Sequence, residues 1–137
     1  SKRCYCLKAW KNSMAGIKQE VLLLKGLEEF NGGHYFACHE TLETLWKGLS
    51  GDEKTLVQGI IQVSVAYYHL NRGNTKGALR LFDRALPRIE PYLPTWLDLD
   101  LAAFFQAIRV ERERLASQGP DLPFIASPPL LLRLKAP

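Results

Sequence analysis

Residues 53–71 read EKTLVQGIIQVSVAYYHLN, and this stretch decides the fold class. Leu56, Ile60, Val63, Tyr67 and Leu70 recur at helical steps and form one apolar face, and Val57, Ile61 and Tyr68 form a second. A helix that is apolar around most of its circumference must be packed on several sides, so it is expected at the centre of a helical assembly. One stripe departs from the pattern: Gln58, Gln62 and His69 share a line on its surface, with Val65 between them.

Outward from this centre the chain keeps helical period from about residue 14 to residue 117, and no alternating run with a hairpin turn suggests a strand. A first helix is expected over Met14–Phe30, with Ile17, Val21, Leu24 and Leu27 facing inward; Asn31, Gly32 and Gly33 end it. A second is expected over His34–Leu49, burying Tyr35, Leu42, Leu45, Trp46 and Leu49. Asp52 is the expected cap of the central helix, Glu53–Asn71, and Thr75 that of a fourth, Lys76–Glu90, whose inner face is Ala78, Phe82, Ala85, Leu86 and Ile89. Pro87 is expected to bend or stop this helix, and Pro91 and Pro94 to impose an extended linker. Asp98 is the expected cap of a fifth helix, Leu99–Ser117, with Leu101, Phe104, Phe105, Ile108 and Leu115 inside. The reading is all-α: a compact bundle of about five helices around a buried central one, with an irregular proline-rich tail.

The 137 residues suit one domain, divided into an extension (1–13), a helical core (14–117) and a tail (118–137). Leu122, Phe124, Ile125 and Leu130-Leu131-Leu132 make the tail too apolar to stay in water, so it is expected to dock on the bundle, the alternative being a partner-binding strip. Apolar residues make up 47%, charged residues 23%, and the net charge is +4, which is the profile of a soluble globular protein and too weakly basic for a dedicated nucleic-acid binder. No apolar run is long enough to span a bilayer and no secretory leader is evident. Cys4, Cys6 and Cys38 lack framework or zinc spacing, so a reduced, cytoplasmic setting is expected, with Cys38 as a small buried hydrophobe.

Two constellations carry possible chemistry. On the second helix His39 and Glu43 share one face, with Phe36 and Trp46 flanking them and Glu40 at its edge; if the second and third helices are antiparallel neighbours, Gln62 and His69 can meet them in one polar pocket. The preferred reading is a buried hydrogen-bond network that fixes helix register, and loss of His39 is then expected to cost about 1–3 kcal/mol. The competing reading is a zinc or iron site, or acid–base chemistry, using His39, Glu43 and His69; two imidazoles and a carboxylate are a known ligand set, but the third helix adds no acid along that stripe and the spacing is not that of a zinc-protease helix, so no metal or other cofactor is expected. The second constellation is a basic row, Arg72, Lys76, Arg80, Arg84 and Arg88, at every fourth position. It is read as a solvated helix face, with phosphate contact as the lesser alternative, because no aromatic residue interleaves to stack bases. Serine elbows, phosphate-cradling glycine loops and dinucleotide fingerprints are missing from the sequence.

Phe30-Asn31, His39-Glu40, Leu42-Glu43 and Trp46, followed by Gln58-Gly59, Tyr68-His69, Gly73-Asn74, Gly77-Ala78, Leu81 and Ala85-Leu86, resemble the signature of the domain of unknown function 309 family over about residues 24–92. The resemblance implies a small all-helical cytoplasmic domain of bacterial or plastid type and supports treating His39, Glu40, Glu43, Trp46 and His69 as a unit, without supplying a reaction. Ala78, Phe82 and Ala85 are also similar to the packing residues of a tetratricopeptide-type hairpin. The functional expectation is a non-enzymatic protein-interaction or scaffold module that meets another protein or associates with itself, ahead of an enzyme using His39, Glu43 and His69, and ahead of nucleic-acid binding.

Overall fold

Short turns built on Asn-Gly signals bring successive helices back against each other, and the outcome is an all-α bundle. The computed structural model describes residues 14–118 and 129–131. Among these, α1 spans Met14–Asn31, α2 Tyr35–Lys47, α3 Gly51–Asn71, α4 Thr75–Ile89 and α5 Leu101–Gln118. A 3-10 turn at Glu90–Tyr92 and a two-stranded hairpin, β1 (Thr95–Trp96) against β2 (Leu99–Asp100), join α4 to α5.

The α1–α2 and α3–α4 hairpins are built on one plan. Gly33 and Gly73 close the helices at φ 81° and 77°, a left-handed conformation that glycine adopts without a Cβ clash. The bonds around them match: Gly33 N donates to Phe30 O (3.0 Å) and His34 N to Glu29 O (2.8 Å), while Gly73 N donates to Leu70 O (3.0 Å) and Asn74 N to His69 O (2.8 Å). Equivalent positions are buried in both: Leu23 and Val63, Leu27 and Tyr67, Cys38 and Ala78, Leu42 and Phe82, Leu45 and Ala85, Leu49 and Ile89. Each hairpin also has a glycine where its helices touch, Gly26 against Leu42 and Gly59 against Ile89 and Arg88.

The second hairpin packs on the first through α3, which contacts α2 on one side and α4 on the other, as its apolar circumference required. Edge-on and stacked rings join all five helices at the core: Phe30 lies 5.3 Å from Tyr35 and 5.6 Å from Phe104, and Tyr67 lies 5.4 Å from Tyr35 and 5.3 Å from Phe82. Such ring pairs add about 0.5–1.5 kcal/mol each beyond their area. The expected inner faces of α3, α4 and α5 are inside, with Ile61, Tyr68, Leu70 and Leu86 half-buried at the margin.

Helix α1 is rotated from expectation. Leu23, Leu27 and Phe30 point inward, whereas Ile17 and Val21 are 47% and 59% exposed. The run of leucines at 22–24 suits either face, and anchoring Phe30 in the aromatic core chooses between them. On α2, Cys38 and Thr41 take inner positions and Trp46 sits at the border, half-buried.

The caps and the linker also differ. The N-cap position of α3 is Ser50, and Asp52 instead accepts a hydrogen bond from the Tyr92 hydroxyl (3.0 Å), tying the α4–α5 connection to the start of α3. Asn74, not Thr75, caps α4, its Oδ1 accepting from Gly77 N (2.9 Å). At α5 it is Asp100 that accepts, from Ala103 N (3.4 Å), while Asp98 occupies the hairpin turn at φ 59°. Pro87 does not stop α4, which runs on to Ile89 because a missing donor close to the C-terminus breaks one bond only. The linker is folded rather than extended: Tyr92 and Trp96 pack at 5.0 Å and both are buried, so burial overrides the extended preference of the prolines.

The described part of the tail docks on the bundle. Leu131 is fully buried, its carbonyl accepts from Asn31 Nδ2 (3.0 Å), and its N–H donates to Asn31 Oδ1 (2.9 Å). Cys4, Cys6, Leu122, Phe124, Ile125 and Leu132 lie outside the described residues.

Candidate interaction face between the second and third helices

Steps of three and four along α2 put Phe36, His39, Glu43 and Trp46 on one line beside α3. The register is set at both ends. Phe36 packs on Tyr68 (5.4 Å between centroids), and the Lys54 ammonium sits 4.2 Å above the Trp46 ring. The Arg72 guanidinium lies 5.4 Å from the Tyr68 ring, extending the row past Phe36. Such cation–ring contacts contribute about 0.5–1 kcal/mol at partly exposed sites. The result is a seam of aromatic rings closed at each end by a cation.

His39 occupies the middle. Its ring lies 5.5 Å from Phe36, and its Nε2 is 3.1 Å from Glu43 Oε2, the side chains being 27% and 48% exposed. His39 Nδ1 and Trp46 Nε1 are buried without a hydrogen-bond partner among the described residues. Glu40 is exposed, and its backbone carbonyl accepts from the Thr44 hydroxyl (3.2 Å).

The expected convergence of His39, Glu43, Gln62 and His69 is replaced by three separate arrangements. His39 pairs with Glu43 on its own helix. Gln62 faces α4, where its Oε1 accepts from Arg88 Nη1 (3.2 Å). His69 turns to the end of α3: the Asn74 amide donates to His69 Nδ1 (3.4 Å), which leaves the proton of a neutral ring on Nε2. The physical reason is the antiparallel register: pairing Phe36 with Tyr68 and Trp46 with Lys54 sets the middle of α2 beside the middle of α3, not beside its terminal His69. Among the described residues, no three His, Cys, Asp or Glu side chains are grouped so as to hold a metal ion.

The basic row is divided as well. Arg72, Lys76, Arg80 and Arg84 are exposed, but Arg88 is half-buried, bonding Gln62 and the Arg84 carbonyl (3.2 Å). Asp83 draws Arg112 of α5 to 2.7 Å, which holds the guanidinium pKa above its usual value.

Sequence reasoning missed a set of polar groups inside the bundle. Burial pushes the Cys38 thiol up to about 12, Ser64 and Glu29 being its polar neighbours, so the thiol is protonated and unreactive at neutral pH, as a buried structural cysteine should be. Burial raises the Tyr67 hydroxyl too, with the negative charge of Glu111 adding to the effect, and Arg114 bonds Glu111 (2.5 Å) across one turn of α5. Tyr35 is raised by burial and then by Cys38. These positions read as plain apolar packing or solvated charge in the sequence, and only helix contact brings them near each other. Lys54 carried a fainter signal, since it stands one helical step from Gln58, which the sequence already singled out.

The seam lies within the part of the chain that known proteins share. Residues 23–81 match the family described as "Domain of unknown function (DUF309)". The resemblance in the signature residues is thus met by the family model. The matched segment starts in α1, ends in α4, and contains both Asn-Gly turns and the whole α2–α3 seam. The chain is also similar to the uncharacterised protein YpuF of Bacillus subtilis, 45% identical over 53 residues, 38% of this chain and 30% of that protein. An uncharacterised protein of Aquifex aeolicus is 29% identical over 75 residues, 53% of this chain and 22% of that one. The matches therefore span less than a third of either relative's length. Among the described residues no helix is long and apolar enough to cross a membrane.

Proposed function

We propose that the chain is a non-enzymatic protein-interaction module of a cytoplasmic protein, and that the α2–α3 seam is its recognition face. The supporting observation is Phe36, 51% exposed and packed on Tyr68 in a row that runs from Arg72 to Trp46 and Lys54. Large rings and arginine are the residue types in which binding energy concentrates, and here neighbouring rings and cations hold them rigid before any partner arrives. The partner expected is a protein surface with an apolar side chain for Phe36 and carboxylates for Lys54 and Arg72. His39 and Glu43 serve this face as a positioning pair that keeps Phe36 and Trp46 in line.

The test places a photo-crosslinking phenylalanine at position 36, and in a second chain at exposed Gln106 on α5. The expected result is one crosslinked species of defined mass from position 36 only, lost when Tyr68→Ala and Arg72→Ala are added. Equal crosslinking from both positions, or none from position 36, overturns the reading. A second reading, acid–base catalysis, is favoured only by the 3.1 Å His39–Glu43 contact; it requires His39→Gln to abolish a turnover that Phe36→Ala leaves intact.

A further inference from the structure

We propose that Asn31 and the pocket beneath Leu131 form a binding site for an extended, leucine-bearing peptide of a partner protein, and that this chain's own tail occupies the site as a tethered, displaceable ligand. The site is separate from the α2–α3 seam and stands or falls independently of it.

The argument begins with the chemistry of the contact. A carboxamide carries one acceptor oxygen and a donor nitrogen side by side, which is the complement of the N–H and C=O of a single residue in extended backbone. Asn31 uses both on the same residue: its Oδ1 takes the Leu131 N–H at 2.9 Å and its Nδ2 reaches the Leu131 carbonyl at 3.0 Å. Backbone recognition of this kind is blind to side chains, as when a peptide strand adds to a sheet edge, so any selectivity must come from the side chain that enters the pocket. Here that side chain is one leucine. Leu131 is fully buried within the core, whereas Leu130 beside it is 52% exposed.

Position and repetition support the assignment. Asn31 is the last residue of α1, two positions before the left-handed Gly33, so it stands where the chain leaves the helix. Asn71 stands at the equivalent place in the second hairpin and is exposed, so the turn itself does not demand this use of asparagine. Leu131 follows the last residue of α5 by 13 positions in the sequence, and covalent attachment over that length supplies a high local concentration in place of intrinsic affinity. Among the described residues the contact consists of two hydrogen bonds to one backbone unit and one buried side chain, groups that a competing peptide can also offer.

The experiment uses the full chain labelled with nitrogen-15 and a synthetic peptide of residues 127–133 as probe. In the Leu131→Asp chain, whose own tail is released, the backbone amide signals of Gly32 and Gly33, directly after Asn31, should shift and saturate as peptide is added. The unsubstituted chain should need at least roughly tenfold more peptide for the same shift, because its tail competes at the tether's effective concentration. The response should vanish when Asn31→Ala is added, or when the peptide itself carries Leu131→Asp. If the aspartate chain loses its helical signal, Leu131→Ala takes its place. No shift in the released chain, an equal response in both chains, or a response that survives Asn31→Ala overturns the proposal. A dimer that dissociates on Leu131→Asp would make a second copy's tail the occupant and overturn it too.

Discussion

The α1–α2 and α3–α4 hairpins share a turn, a burial pattern and a glycine contact, yet they present opposite surfaces. The first exposes apolar side chains, Ile17, Val21 and Phe36, and holds the tail through Asn31. The second exposes cations, Lys76, Arg80 and Arg84, and spends its turn asparagine, Asn74, on capping its own helix. The turn chemistry and the inward positions are what make a hairpin; the outward positions are free of that constraint and can be given to different work. One supersecondary unit used twice thus yields one half suited to apolar contact and another suited to solvent.

The sharpest way to break this equivalence is at the two glycines. Gly59→Ala sets a Cβ 2.9 Å from Ile89 Cγ1 and 3.2 Å from Arg88 Cβ, atoms close to the backbone of α4, and should cost about 1–3 kcal/mol in urea unfolding despite a better helix propensity. Gly26→Ala sets a Cβ 2.8 Å from the Cγ of Leu42, a fully buried side chain with no open space to turn into, so a loss at least as large is expected. If Gly26→Ala costs more, the first hairpin is the tighter of the two.

The equivalent positions Cys38 and Ala78 offer a pH test. The buried thiol is raised from 9.0 to about 12, so below pH 9 it is protonated whether the chain is folded or unfolded. Between 9 and about 12 only the unfolded thiol ionises, the unfolded state binds fewer protons, and stability falls with rising pH by about 1.4 kcal/mol per unit. Cys38→Ala, which copies the second hairpin, should remove that share of the slope; an unchanged alkaline slope would show that the thiol is not buried as described.

Caps give a smaller effect. Asn74→Ala should lose about 1 kcal/mol, since Asn74 accepts from Gly77 N, whereas His34 at the same place in the first hairpin makes no such bond. His34→Asn should therefore gain up to about 1 kcal/mol, read as a rise in melting temperature. The smallest effect is expected at His39. Its pairing with half-exposed Glu43 is an ordinary within-helix contact, so His39→Ala should cost about 0.3–0.5 kcal/mol and not the larger loss of a buried network. A loss several times greater would restore the network reading.

Much of the fold was legible, and the reasons can be read at particular residues. The all-round apolar pattern of Leu56, Val57, Ile60 and Val63 put α3 at the centre, because no single neighbour can cover such a helix. Asn31-Gly32-Gly33 and Gly73-Asn74 marked the turns, because few residues tolerate the left-handed conformation. The caps were each displaced by one or two positions, because several Asp, Asn, Ser and Thr residues stand near each helix start and the choice among them rests on tertiary bonds such as Tyr92 to Asp52. The candidate site was legible in its members on α2 and illegible in its partners: His39, Glu43 and Trp46 do share a face, but the neighbours they meet are Tyr68 and Lys54.

By itself the sequence determined local matters: where the chain turns between helices, which side chains share a face, and that the chain buries its apolar surface by stacking helices. Periodicity carries that information because it is a property of a single helix. Which face turns inward on α1, whether polar residues on two helices meet, and which backbone group Asn31 captures were decided by tertiary structure alone. Those outcomes depend on the relative rotation and register of packed helices, and these are settled jointly by contacts such as Phe30 with Phe104 and Phe36 with Tyr68, between residues that no local pattern pairs.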